Sequence, residues 1–143
     1  MPGIVLTTDL SDESLRAFAP VRELADRLDL DVTLLAVLED LPIEPAPGGL
    51  VGVVPDRSEL RAAWEGRLKE LSLGLGERCR SVEVVDAADV PAAICEFAQA
   101  QSADYIAMAT HGRSGLRRLL LGSVAEVVVR HATVPVVLYP PAD

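Results

Sequence analysis

Five short apolar runs punctuate the chain. They are Ile4-Val5-Leu6, Val32-Thr33-Leu34-Leu35-Ala36-Val37-Leu38, Val82-Glu83-Val84-Val85, Ile106-Ala107-Met108-Ala109 and Val134-Pro135-Val136-Val137-Leu138. Each is nearly continuous rather than alternating, as strands covered on both faces must be. They predict strands over residues 3–8, 31–38, 81–85, 105–109 and 134–138. The stretches between them carry the helical period. Leu15, Phe18, Val21, Ala25 and Leu28 form one stripe behind Ser11, a candidate N-cap followed by acidic residues, and Pro20 is expected to kink that helix. Leu60, Trp64, Leu68, Leu71 and Leu75 mark a second helix over residues 56–75, ended by Gly74 and Gly76. A third starts at Asp89-Val90-Pro91, with proline in its first turn and Ile94, Phe97 and Ala98 turned inward. The last opens at Ser123, where Ser123 and Glu126 have the spacing of a capping box, and it ends near His131.

Strand and helix alternate from end to end, so the expected class is α/β: an open, mainly parallel sheet with helices on both faces. One domain over residues 1–143 suits this length. Residues 39–55 hold Pro42, Pro45, Pro47, Gly48, Gly49, Gly52 and Pro55 and read as a loop insert long enough for a lid.

Composition narrows the chemistry. The net charge of −9 opposes general nucleic-acid binding, yet residues 105–135 carry +3 through Arg113, Arg117, Arg118 and Arg130 against Glu126. A basic island in an acidic chain suits a small anion; the plainer alternative is a solvated arginine loop. No apolar run reaches membrane-spanning length, and Met1-Pro2-Gly3-Ile4 has no basic region like that of a signal peptide. A cytoplasmic location is the expectation. Cys79 and Cys95 form no C-x-x-C pair, and the lone lysine, Lys69, lies outside any Walker loop.

The richest stretch is residues 105–138, where strand, glycine loop, helix N-terminus and strand follow one another. That layout presents free backbone N–H groups to a phosphate. Gly112 and the pair Gly122-Ser123 are the sharpest candidates, because close approach of backbone to an anion leaves no room for a side chain. Positive-φ loop geometry for the glycines, and simple capping for Ser123, explain the same residues without a ligand. Asp9 ends the first strand, where ligands settle in open parallel sheets, though an Asx turn would account for it equally. His111 lacks an assignable partner or nucleophile and reads as a loop residue. His131, beside Arg130, suits the negative end of its helix.

The run Thr-His-Gly-Arg-Ser-Gly-Leu-Arg-Arg-Leu-Leu-Leu-Gly-Ser-Val-Ala-Glu from Thr110, with the later Val-Pro-Val-Val-Leu, closely resembles the C-terminal half of universal stress proteins. ATP-binding members carry a glycine, two residues, a second glycine, nine residues, then glycine and a hydroxyl residue. Gly112, Gly122 and Ser123 match that pattern, and Ala109 stands in place of the first glycine. The head of the chain also resembles the family, with Asp9 closing a hydrophobic strand; many relatives have Pro or Ala where Thr7 stands. The resemblance implies a Rossmann-like strand order of 3-2-1-4-5. It also implies ATP at the glycine loop, with Mg2+ on the phosphates. Thr8 and Asp9 would then meet the nucleoside, Val37 the adenine, and Ala109, Gly112, Arg113, Gly122, Ser123 and Val124 the phosphate side.

The fifth strand would lie at a sheet edge, which invites pairing, so a homodimer through Val134, Val136 and Leu138 is expected. Two alternatives remain beside a nucleotide-binding stress regulator. One is a dimeric interaction protein that has lost the ligand, favoured by Ala109. The other is a weak ATPase, disfavoured because no base or lysine is identifiable.

Overall fold

Parallel pairing decides the architecture. The computed structural model describes residues 3–40, 57–110 and 121–140. Its elements are β1 (Gly3–Thr7), α1 (Asp12–Leu15), α2 (Phe18–Leu28), β2 (Asp31–Glu39), α3 (Arg57–Ser72), β3 (Cys79–Ala87), α4 (Val90–Ala100), β4 (Tyr105–Ala109), α5 (Ser123–His131) and β5 (Val136–Tyr139). The strands form a sheet in the order β3-β2-β1-β4-β5. Every pair is parallel, with Leu6 opposite both Leu34 and Ala107 at the centre. This is the expected order, and it makes β1 and β4 neighbours where the chain changes direction across the sheet.

Side chains alternate across the strands and build two cores. Ile4, Leu6, Leu34 and Ala107 face the layer of α2 and α3, which contributes Phe18, Val21 and Leu68, with Leu75 from the turn after α3. Val5, Leu35, Val37, Ile106 and Met108 face α4 and α5, which contribute Ile94, Ala98, Ala125 and Val128.

Several local expectations need correction. The first helix is not one kinked rod: α1 ends at Leu15, and α2 restarts at Phe18. Pro20 explains the position of the break, since it has no N–H to give the Arg16 carbonyl and its ring crowds that group. It ends up within the first turn of α2, where a missing donor costs little. Leu28 and Leu60, near helix ends, are exposed rather than inward, while Trp64 and Leu71 pack against the first core. α3 stops at Ser72, and a 3-10 turn, Leu73–Arg78, follows, with Gly76 at φ +67°. That angle favours glycine. β3 runs to Ala87, beyond its apolar centre, and β5 begins at Val136 instead of Val134. At α5, Ser123 does not cap. Gly122 is the N-cap, no side chain bonds there, and Ser123 is the first helical residue. The remaining loop insert and the residues between Thr110 and Leu121, including His111, Gly112 and Arg113, lie outside the described residues.

Candidate functional site

The C-terminal ends of β1, β2 and β4 meet the start of α5 around a cavity of about 280 Å³. Such crevices, at the point where strand order reverses, are where open parallel sheets hold ligands. Thr8 and Asp9 come from the turn after β1, Val37 from β2, Ala109 from β4, and Gly122, Ser123 and Val124 from the start of α5. Seven residues singled out in the sequence, scattered over three regions of it, therefore line one space.

The turn after β1 is held by its own side chains. Asp9 Oδ1 accepts the Ser11 N–H at 2.9 Å and the Ser11 hydroxyl, so the Asx turn is real. Ser11 caps α1 by accepting the Ser14 N–H at 3.2 Å. Thr8 and Ser14 share a buried hydroxyl bond of 2.7 Å, and the Leu10 N–H reaches Thr8 Oγ1 at 3.0 Å. Leu10 itself adopts φ +67°, an unfavourable conformation for a branched residue, held by this network.

Across the cavity, the Gly122 N–H donates to the Thr110 carbonyl at 2.7 Å, and the Thr110 N–H to that of Tyr139 at 3.1 Å. These bonds tie the start of α5 to the end of β4. The first bond within α5 runs from the Glu126 N–H to the Gly122 carbonyl. The N–H groups of Ser123, Val124 and Ala125 precede it, and an α-helix supplies no acceptor of its own to its first N–H groups. They form the positive end of the helix dipole at the cavity. Gly122 has φ −58°, so positive-φ geometry does not explain its glycine. Ala109 is a β4 residue with ordinary strand angles, and its methyl group is nearly buried at the wall.

The opposite wall is apolar: Val37, Val90, Ile94 and Met108. Thr7, Ser14, Val90, Ile94, Met108, Thr110 and Ala125 were not foreseen as lining residues. Val90 and Ile94 have i, i+4 spacing on α4, and Thr7 and Met108 lie near the C-terminal ends of strands, so both signals were present in the sequence. Nothing in the sequence pointed to Ser14 as a cavity residue.

Neither cysteine offers a reactive thiolate. Burial pushes the Cys79 thiol pKa up, and burial with Asp89 and Glu96 nearby does the same at Cys95. Among the described residues, no group of three or more His, Cys, Asp or Glu side chains could hold a metal ion. No helix there is long and apolar enough to cross a membrane.

An apolar slot facing a helix N-terminus, at the C-terminal edge of an open parallel sheet, is the arrangement in which α/β folds place small ligands. The model of the universal stress protein family matches residues 2–140, and the chain belongs to that family. A universal stress protein of Methanocaldococcus jannaschii, MJ0531, is 34% identical over 137 residues, 94% of this chain and 79% of the relative. Mycobacterial universal stress proteins are matched at 34% identity, but this chain spans 42% of their length. The fold of hypothetical protein MJ0577 superposes with a TM-score of 0.78 at 23% identity, covering 99% of this chain and 97% of that one. An Archaeoglobus fulgidus universal stress protein in complex with dAMP superposes at 0.66 with 21% identity, covering 96% and 97%. Other solved family members hold cAMP or AMP.

Proposed function

We propose that this family member is a regulatory protein that binds an adenine nucleotide, ATP foremost, in the cavity between β1, β4 and α5. The observation that carries the reading is the pairing of an apolar slot with the open N–H groups of Ser123 to Ala125. A heterocycle fits against Val37, Ile94 and Met108, while phosphate is drawn to the helix N-terminus. Asp9, across from that terminus, is placed to accept a ribose hydroxyl. Gly112 and Arg113 complete the phosphate side in this reading. With no metal cluster among the described residues, Mg2+ would enter on the phosphates of the ligand. Adenine nucleotides in solved relatives of the same fold support the ligand class.

Calorimetry with ATP and Mg2+ tests it. Wild type should bind, Ala109→Gly should bind more tightly, and Gly122→Val should lose binding by blocking close approach. No heat from either wild type or Ala109→Gly at millimolar ATP would end the nucleotide reading.

A second reading, a dimeric interaction protein without nucleotide, is favoured by one observation. The Gly122 N–H is already spent on Thr110, and the Ala109 methyl adds to the wall beside it. Dimerisation through the β5 edge belongs to both readings. Val134, Val136 and Leu138 are half-buried and pack toward the second core, while Val137 and Tyr139 pack toward the first. Sedimentation should show a wild-type dimer and a soluble Val136→Lys monomer; a wild type monomeric at high concentration removes the interface.

A further inference from the structure

Thr7 closes β1 and stands at the floor of the cavity. Ile4 and Leu6 pack into the first core and Val5 into the second, so strand alternation turns Thr7 toward the second face, where the cavity lies. It is 7% exposed. Thr8, the next residue, has its hydroxyl committed to Ser14 and Leu10. The Thr7 hydroxyl has no hydrogen-bond partner among the described residues. Nor is it sealed away: the fully buried side-chain oxygen lacking a partner there is Asp104 Oδ2, near Gly3 at the other end of β1. A hydroxyl both unpaired and unsealed, on a residue so nearly buried, opens to the cavity.

The register places it centrally. Thr7 is opposite Leu35 of β2, and the pairing of Leu6 with Ala107 sets Met108 beside it on β4. Its strand neighbours, Leu35 and Met108, are thus apolar, and it lies two residues before Asp9 along the chain. We propose that the Thr7 hydroxyl is a hydrogen-bonding contact for the base-and-ribose end of the bound nucleotide, a role that rests on the nucleotide reading above. A ligand presenting a polar atom there pairs the hydroxyl, whereas an apolar one leaves it stranded in a dry slot.

Calorimetric titration with AMP and with adenosine, on wild type, Thr7→Val and Thr7→Ser, tests this. Thr7→Val keeps the branched shape and removes the hydroxyl; it should weaken both ligands alike, by roughly three- to tenfold. Thr7→Ser should stay within about twofold of wild type, because it retains the donor and acceptor. Thermal melting of each unliganded variant reports its fold, and Thr7→Ala replaces Thr7→Val should the latter not fold. Equal affinity of wild type and Thr7→Val overturns the contact while leaving nucleotide binding standing. A loss for AMP without a loss for adenosine also overturns it, since the hydroxyl would then serve the phosphate. Wild type that binds neither of these ligands, nor ATP with Mg2+, removes the nucleotide reading itself.

Discussion

The two faces of the sheet share their strands but are filled differently. Toward α2 and α3, large side chains such as Leu6, Leu34, Leu68 and Leu75 are wholly buried, with Trp64 and Leu71 against them. Toward α4 and α5, the helices bring Ala93, Ala98 and Ala125 beside Ile94 and Val128, against Val5, Leu35, Val37 and Ile106. Bulky chains interdigitate to native density and close one core. Alanines on the other side let α4 and α5 pack closely at one end, while the cavity remains at the C-terminal ends of the strands. Both layers thus bury large side chains, and the second also borders the cavity through Val37, Ile94 and Met108.

That contrast has consequences of graded size. Leu6→Ala, in the sealed core, should cost about 2–5 kcal/mol in denaturant unfolding while leaving the affinity of the folded protein for nucleotide intact. A nucleotide affinity that falls with it would show the two layers to be coupled. Val37→Phe, on the open face, should have the opposite profile. The added ring fills the slot, so AMP binding should fall by more than about tenfold, with a melting temperature within a few degrees of wild type. Unchanged AMP affinity in a folded Val37→Phe protein would move the ligand away from β2.

Ser14→Ala lies between these extremes. It takes from the buried Thr8 hydroxyl one of its two partners, leaving the Leu10 N–H, and should cost about 1 kcal/mol, read by chemical denaturation. The smallest effect belongs to the surface, where Asp86 is paired with Arg61 and with Arg57 at 2.9 Å. The two guanidinium groups, Arg61 foremost, hold the Asp86 carboxyl below its usual range. Its folded pKa being lower than its unfolded one, it stabilises the protein above about pH 4, and that stabilisation fades as acid protonates the folded carboxylate. At an exposed pair the amount is below about 1 kcal/mol. Asp86→Asn should therefore lower stability slightly at pH 7, and its effect should shrink as the pH falls through the acid range.

Runs such as Leu34-Leu35-Ala36-Val37 were enough to announce strands buried on both faces, because no other element needs unbroken apolar character at that length. Proline and capping chemistry were legible for the same local reason: Ser11 caps α1 through the Ser14 N–H at 3.2 Å, and α4 starts with Pro91 in its first turn, as the residues alone implied. Local bonding could mislead where neighbours compete. Ser123 and Glu126 have the spacing of a capping box, yet Gly122 takes the cap position because its N–H is claimed by Thr110 from another strand. Pairing across the sheet decided what spacing could not. Asp9, Val37, Ala109 and Ser123 lie apart in the chain, and they line one cavity only because β1 pairs with β2 and β4 in parallel register. Thr7 makes the same point most sharply. Its position on β1 is written in the chain, but its unpaired hydroxyl exists because the fold supplies partners for Thr8 next to it and supplies none for Thr7 among the described residues.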